Sequence, residues 1–134
     1  MRAIAYVSSS AWSLSDDDLR SIVAESRGRN VESGVTGVLL YCDGNFMQYL
    51  EGPDEALLPT YQRIRASTRH HRLNELINQP VSGREFGDWA LGFARKRPED
   101  FLRAWAPPWG LERRGGPGAA VMSKFWANCH RLPA

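Results

Sequence analysis

The sequence predicts an α+β fold: a ferredoxin-like sandwich in the order β-α-β-β-α-β-β, with a five-stranded mixed sheet, two helices on one face and a C-terminal helical extension. Three observations carry this. A short apolar segment at the N-terminus leads into a serine-capped helical stripe, two apolar runs flank the turn dipeptide Asp43-Gly44, and a second helical stripe precedes two further strand-like segments.

Taken in order, Ala3 to Ser8 reads as a strand and Ser9 to Leu14 as a loop. Ser15 then precedes Asp16, Asp17 and Asp18; a serine N-cap with acids in the first turn satisfies orphan amides and the positive dipole end. Leu19, Ile22, Val23 and Ser26 follow at i, i+3, i+4 and i+7, so a helix is expected over about 15–28. Val35 to Tyr41 and Phe46 to Leu50 form a hairpin around Asp43-Gly44. Glu51-Gly52-Pro53-Asp54 ends that strand, and Leu57, Leu58, Tyr61 and Ile64 mark a second helix to about Thr68. Pro59 lies within it and removes a hydrogen bond at a cost of about 3 kcal/mol, so this helix is expected to start late or bend. Leu73 to Gln79 and Glu85 to Phe93 supply the last strands around a Pro80 to Arg84 turn. A short helical piece over 99–105, a Pro107-Pro108 break and a glycine-rich linker at 115–118 follow. The segment Ala119 to Arg131 carries Val121, Met122, Phe125, Trp126 and Cys129 at helical spacing and is expected to be an amphipathic helix.

With 134 residues, 43% hydrophobic and 24% charged, the chain fits one globular domain and excludes disordered, collagenous and coiled-coil classes. A net charge of +2 demands neither nucleic acid nor an anionic membrane as partner. No apolar run approaches the roughly 18 residues of a membrane span, and the N-terminus lacks a signal peptide's apolar stretch, so a cytoplasmic location is expected. Cys42 and Cys129 have no CxxC partner and are expected to stay reduced. There is no metal motif and no nucleophile, base and orienting group at suggestive positions, so an enzyme is not expected. The arginines crowded between Arg63 and Arg72 read as a solvated face.

Local patterning fails in three places. Period-2 geometry puts Gln48 on the same strand face as Phe46 and Leu50, where a buried amide must find partners. The first helix's apolar stripe turns polar at Ser26 and Asn30, and the first strand's face of Ile4, Tyr6 and Ser8 ends in a phenol and a hydroxyl. Either these groups satisfy one another, or they line a pocket between the two helices for a flat, polar-edged ligand.

The residues assembled so far resemble the BLUF family of flavin-binding blue-light sensors. The matching features are Tyr6-Val7-Ser8, Asp18-Leu19, Ser26 to Asn30, Ser33 to Tyr41, Gly44 to Gly52, Tyr61 and Ile64, Arg69-His70, Phe86, Trp89 and Gly92-Phe93, in order across residues 2 to 94. The resemblance implies FAD, with FMN or riboflavin as substitutes, its ring lying between the two helices. Asn30 would hold the C4 carbonyl and N3 edge, Gln48 would bridge Tyr6 to the N5/O4 edge, Arg69 and His70 would line the pyrimidine and ribityl side, and Ser26 would be a pocket residue. It implies a photochemical rather than catalytic role for Tyr6 and Gln48: the phenol donates an electron and a proton, and the amide relays the proton and ends rotated or tautomerised.

Transmission is implied to run through the last strand, where the family has a tryptophan and a methionine. Trp89 is present, whereas Leu91 stands in the methionine position and lacks its weak sulfur acceptor. Ser67-Thr68 and Arg29 are further departures that alter local charge. A competing reading is an RNA-binding ferredoxin-like module, resting on Tyr49, Trp89 and the arginine cluster without an RNP-like signature. On the family reading, residues 1–94 are the photosensory domain and 95–134 the output and oligomerisation segment. That segment holds Phe101, Trp105, Trp109, Phe125 and Trp126 and is expected to pack on the open sheet face or a second subunit. With no room for an effector domain, an unknown protein effector in trans and a homo-oligomer are expected, with no nucleic acid or membrane partner.

Overall fold

The structure, a computed structural model, describes residues 1–96, 110–111 and 114–128. The expected helical piece at 99–105, Phe101, Trp105, Trp109 and Cys129 lie outside the described residues. The elements are β1 (Arg2–Ser10), α1 (Asp16–Ser33), β2 (Thr36–Cys42), β3 (Asn45–Gly52), α2 (Asp54–Ala66), β4 (His70–Pro80), β5 (Gly92–Lys96) and α3 (Pro117–Asn128). The sheet order is β4-β1-β3-β2-β5. β5 runs parallel to β2, and every other neighbouring pair is antiparallel. β1-α1-β2 and β3-α2-β4 are therefore interleaved split βαβ units, the ferredoxin-like arrangement, widened by β5.

α1 starts as its sequence dictates. The Ser15 hydroxyl accepts from the Asp18 amide at 3.1 Å and the Asp18 carboxylate accepts from the Ser15 amide at 3.0 Å, a complete capping box. It runs past Gly28, where the sequence pattern placed its end, because the residue that takes the left-handed cap is Gly34 (φ 77°), whose amide donates to the Asn30 carbonyl. The longer helix carries Asn30 in its last turns. α2 likewise begins at Asp54 and continues through Pro59, which lies on the exposed side, where the unpaired Glu55 carbonyl can be hydrated.

The hairpin turn has both central residues at positive φ, Asp43 at 48° and Gly44 at 79°, the twist that suits a two-residue connection. β2 and β3 approach so closely at Gly37 that a Cβ there would lie 1.9 Å from the Tyr49 carbonyl oxygen.

Strand parity sorts the core into two sides. Ile4, Tyr6, Leu50, Leu57 and Tyr61 form one cluster, and Leu19, Val23, Leu39, Tyr41, Phe46 and Leu91 a second, both beneath α1 and α2. Ala3, Ala5, Val38, Leu40, Met47 and Tyr49 face the other way and pack on Ala119, Met122, Phe125 and Trp126 of α3. α3 thus packs its apolar side chains on the sheet, the first of the two expected placements. It also covers Tyr49, leaving that face closed to the base stacking an RNA-binding reading requires.

Two expectations are corrected. The last strand is not Glu85 to Phe93 but Gly92–Lys96, and Trp89 and Leu91 precede it in an irregular segment. The cause is a buried side chain: the Glu51 carboxylate, fully inaccessible, accepts from the amides of Glu85 and Phe86 at 2.7 Å each and from the Thr36 hydroxyl at 3.0 Å. Those amides are unavailable for a strand ladder. Second, Cys42 is disulfide-bonded rather than reduced, its partner lying outside the described residues; the spacing rules that speak for metal or redox motifs do not see a long-range pair.

Because three donors converge on Glu51, Glu51→Ala is expected to lose about 3 kcal/mol of stability and Glu51→Gln less, read as urea-unfolding midpoints. An unchanged midpoint for the alanine variant would show that the carboxylate does not hold this segment.

Candidate functional site

The polar residues that broke the core pattern meet in one place. A cleft open to solvent, about 720 Å³ when its open mouth is counted, lies on the sheet between α1 and α2. Its floor is a row across three strands: Tyr6 pairs with Gln48 between β1 and β3, and Gln48 with Leu39 between β3 and β2. α1 contributes Ile22, Ser26, Arg29 and Asn30, and α2 contributes Thr60, Arg63, Ile64 and Ser67, each set at helical spacing on one face. Arg69 and His70 close the end beyond α2.

At the floor the Tyr6 hydroxyl donates to Gln48 Oε1 at 2.5 Å. With the amide oriented so, its Nε2 donates to no described residue, yet it borders the cavity, so a hydrogen-bond donor faces the ligand space. Burial, with a smaller contribution from nearby Tyr61, holds the Tyr6 phenol far above its ordinary range, so it stays protonated in the resting protein. The Tyr6 ring has Tyr61 at 6.1 Å and His70 at 5.8 Å.

Asn30 is buried, and its Nδ2 donates to the Ala90 carbonyl at 2.6 Å. One N–H is thereby fixed, while Oδ1 and the second N–H remain for a ligand edge that both donates and accepts. His70 is held from both sides, Nε2 by the Ile64 carbonyl at 2.7 Å and Nδ1 by the Ser8 hydroxyl at 2.8 Å. A carbonyl only accepts, so Nε2 carries the proton, and in the neutral ring Nδ1 accepts from Ser8. His70 therefore borders the cavity as a fixed ring with both nitrogens engaged.

The structure brings Tyr6, Ser26, Asn30, Gln48, Arg69 and His70 together around this cavity. Trp89 and Leu91 do not line it. Trp89 stacks on Phe86 at 5.6 Å on the α3 side, and Leu91 packs with Leu39 and Phe46 beneath α1. Thr60 escaped the sequence reading, Arg63 entered it only as part of a solvated face and Ser67 only as a departure from the family; with Ile64 they make an i, i+3, i+4, i+7 stripe from α2 to its C-cap. Arg63 also corrects the reading of the arginine cluster as a solvated face, since like Arg69 it borders the cavity.

Among the described residues, no helix is long and apolar enough to cross a membrane. A family model described as BLUF, sensors of blue-light using FAD, matches residues 1–92. The β subunit of photoactivated adenylate cyclase from Euglena longa is 32% identical over 108 residues, 80% of this chain and 12% of that protein. The blue light- and temperature-regulated antirepressor BluF of Escherichia coli is 36% identical over 69 residues, 52% of this chain and 17% of that one. The chain thus spans about an eighth of the length of the cyclase subunit it matches. Among solved structures, the dark state of BlrB, a BLUF protein, superposes with a TM-score of 0.72 at 28% identity, covering 98% of this chain and 96% of that chain. Klebsiella pneumoniae BlrP1 in a manganese and cyclic-diGMP complex gives 0.79 at 26% identity, covering 98% and 34%.

The buried phenol yields a pH prediction. Its folded pKa is raised above the unfolded value of about 10, so its contribution to stability is intact below about pH 10 and is lost as pH rises beyond it. Tyr61, pushed up to about 12 chiefly by burial, acts in the same direction. Thermal melts from about pH 8 to about pH 11.5 are expected to stay flat with respect to tyrosine up to about 10 and then fall, less steeply in Tyr6→Phe. An equal fall in that variant would contradict the protonated, buried phenol.

Proposed function

The chain belongs to the BLUF family of sensors of blue light using FAD, and on that premise we propose that its cavity between α1 and α2 holds the ring of FAD against the Tyr6–Gln48 pair. The observation that carries this reading is that hydrogen bond, 2.5 Å long, in a cavity whose other lining combines the apolar Ile22, Leu39, Phe46 and Ile64 with the Asn30 amide, hydroxyls, the His70 ring and three arginines. The donor set fits a flavin edge: Gln48 Nε2 offers a donor, Asn30 offers an acceptor and a donor, and the Tyr6 phenol is protonated. FAD is the form we assign, with Ser26, Arg69 and His70 as further contacts.

When bound, the photoexcited flavin supplies the oxidising power. Tyr6 gives up an electron, and its proton leaves along the short bond to Gln48 Oε1. Because burial disfavours a phenolate, the proton would not leave ahead of the electron. Gln48 would relay that proton, accepting it at Oε1 and releasing one from Nε2, and so finish neutral but rotated or tautomerised, with a changed hydrogen-bonding edge toward the cavity. Return of both particles to Tyr6 resets the pair, so the residues are reused without net chemistry.

BLUF domains are sensors, and the output we assign is a contact made by the C-terminal segment, residues 95–134, with a partner protein. α3 packs on the back of β3, the strand that carries Gln48, so pocket and output segment share one strand. Leu91 packs beside the pocket floor and Trp89 on the α3 side of the sheet, and they are the transmitting residues on this reading.

Purified protein is expected to be yellow and to show a small, reversible red shift of the flavin band under blue light. Gln48→Leu should abolish the shift, and its persistence would refute the relay. Tyr6→Phe should retain flavin and lose the photocycle; loss of flavin instead would assign Tyr6 a purely structural task.

A further inference from the structure

The cavity's mouth differs in character from its floor. Three guanidinium groups border it: Arg29 on α1, Arg63 on α2 and Arg69 just after α2. A single carboxylate is bonded among them. Glu25 places one oxygen 2.8 Å from Arg29 and the other 2.7 Å from Arg69, so it ties α1 to the segment after α2. Arg63 has only a 3.4 Å contact to the Thr60 hydroxyl and no acid among the described residues. Among the described residues the mouth therefore carries three guanidinium groups and one carboxylate bonded to them.

These groups are half open to water, with side-chain exposures of 51% for Arg29, 44% for Arg69 and 36% for Glu25. Ion pairs this exposed are weak and exchange readily for another anion. Arg69, and to a lesser degree Arg29, hold the Glu25 carboxyl below its ordinary range, so it is charged at neutral pH. A carboxylate shared by two guanidinia occupies the position a phosphate would compete for, and planar guanidinia engage phosphate oxygens through two hydrogen bonds at once.

Resting on the reading that the floor takes a flavin ring, we propose that Arg29, Arg63 and Arg69 form a phosphate-binding lip, with Glu25 as the internal anion that a phosphate displaces. The site then selects flavins with a phosphorylated side chain over riboflavin, which has the same ring and no phosphate. Glu25 acts as a competitor and not as a staple that builds the site.

The test is titration of flavin-stripped protein with riboflavin, FMN and FAD, followed by quenching of flavin fluorescence. At about 0.05 M salt, FMN and FAD are expected to bind roughly 10-fold tighter than riboflavin. That ratio should fall toward one near 1 M salt, where the screening length is about 3 Å. Arg29→Gln should lower the FMN-to-riboflavin ratio, and Glu25→Gln should raise it severalfold by removing the competitor. Equal affinities for riboflavin and FMN in the unaltered protein would overturn the lip while leaving the flavin-ring reading standing. A lowered ratio in Glu25→Gln would overturn the competitor role and make the carboxylate a staple. Failure of all three flavins to bind would overturn the ring reading and the lip together.

Discussion

The site depends on a register. β1 and β3 are paired so that Tyr6 stands directly opposite Gln48, and β2 is paired so that Leu39 stands on Gln48's other side. Side chains alternate between faces, so a slip of one residue would send Gln48 into the α3 core and bring Met47 or Tyr49 to the pocket floor. Two features oppose such a slip. The Asp43-Gly44 turn fixes the β2–β3 alignment through its paired positive φ angles, and Gly37 admits β3 at a distance no side chain would permit. The short phenol–amide bond is thus a product of backbone pairing: neither residue reaches for the other, because the ladder delivers them face to face.

The same strand organises the opposite side of the molecule. Glu51 lies three residues beyond Gln48, on the other face, and its buried carboxylate gathers the amides of Glu85 and Phe86. The Glu85 carboxylate in turn accepts from the amides of Gly118 and Ala119, each at 3.0 Å, at the start of α3, and from the Tyr49 hydroxyl at 3.2 Å. Carboxylates are favoured at a helix N-terminus, where amides are unpaired and the dipole is positive. Tyr49 adjoins Gln48 in sequence and supports α3 from beneath. One strand therefore holds the pocket by its even residues and the C-terminal helix by its odd ones, a contiguous path of contacts in which, on the proposed reading, the bistable element is the amide at its centre.

Legibility followed the range of the interaction that decides each feature. The hairpin, the Ser15 N-cap and the face on which Gln48 lies are fixed by neighbours in sequence, and all three were readable. The mismatch between a polar residue and an apolar face raised a pocket as one of two readings before any family was considered. What local pattern missed was decided at long range. Glu85 and Phe86 look like strand residues, but a carboxylate 34 and 35 residues earlier takes their amides. Gly28 looks like a helix stop, but left-handed backbone falls at Gly34. Arg63 looks like part of a solvated face because charge alone does not show that the α2 stripe borders a cleft. The identity of the ligand was not in the spacing at all; the family resemblance supplied it.

The leucine at position 91 sharpens how pocket and irregular segment are joined. A methionine there could offer a sulfur acceptor, and Leu91 offers only volume, packing with Leu39 beside the floor. Yet the segment is not joined to the pocket wall by that side chain. The Asn30 amide donates to the Ala90 carbonyl at 2.6 Å, and the Arg27 guanidinium donates to the Leu91 carbonyl at 2.8 Å. Both donors come from α1, and both acceptors are backbone atoms, present whatever residue stands at 91. On the proposed reading Asn30 also meets the flavin edge, so a change in the hydrogen bonds there reaches the 90–91 backbone in a single step. Just downstream that backbone enters β5, and just upstream it carries Trp89 against Phe86 and the Arg114 guanidinium, on the α3 side. Substitution of the sulfur removes one side-chain contact and leaves this main-chain connection whole.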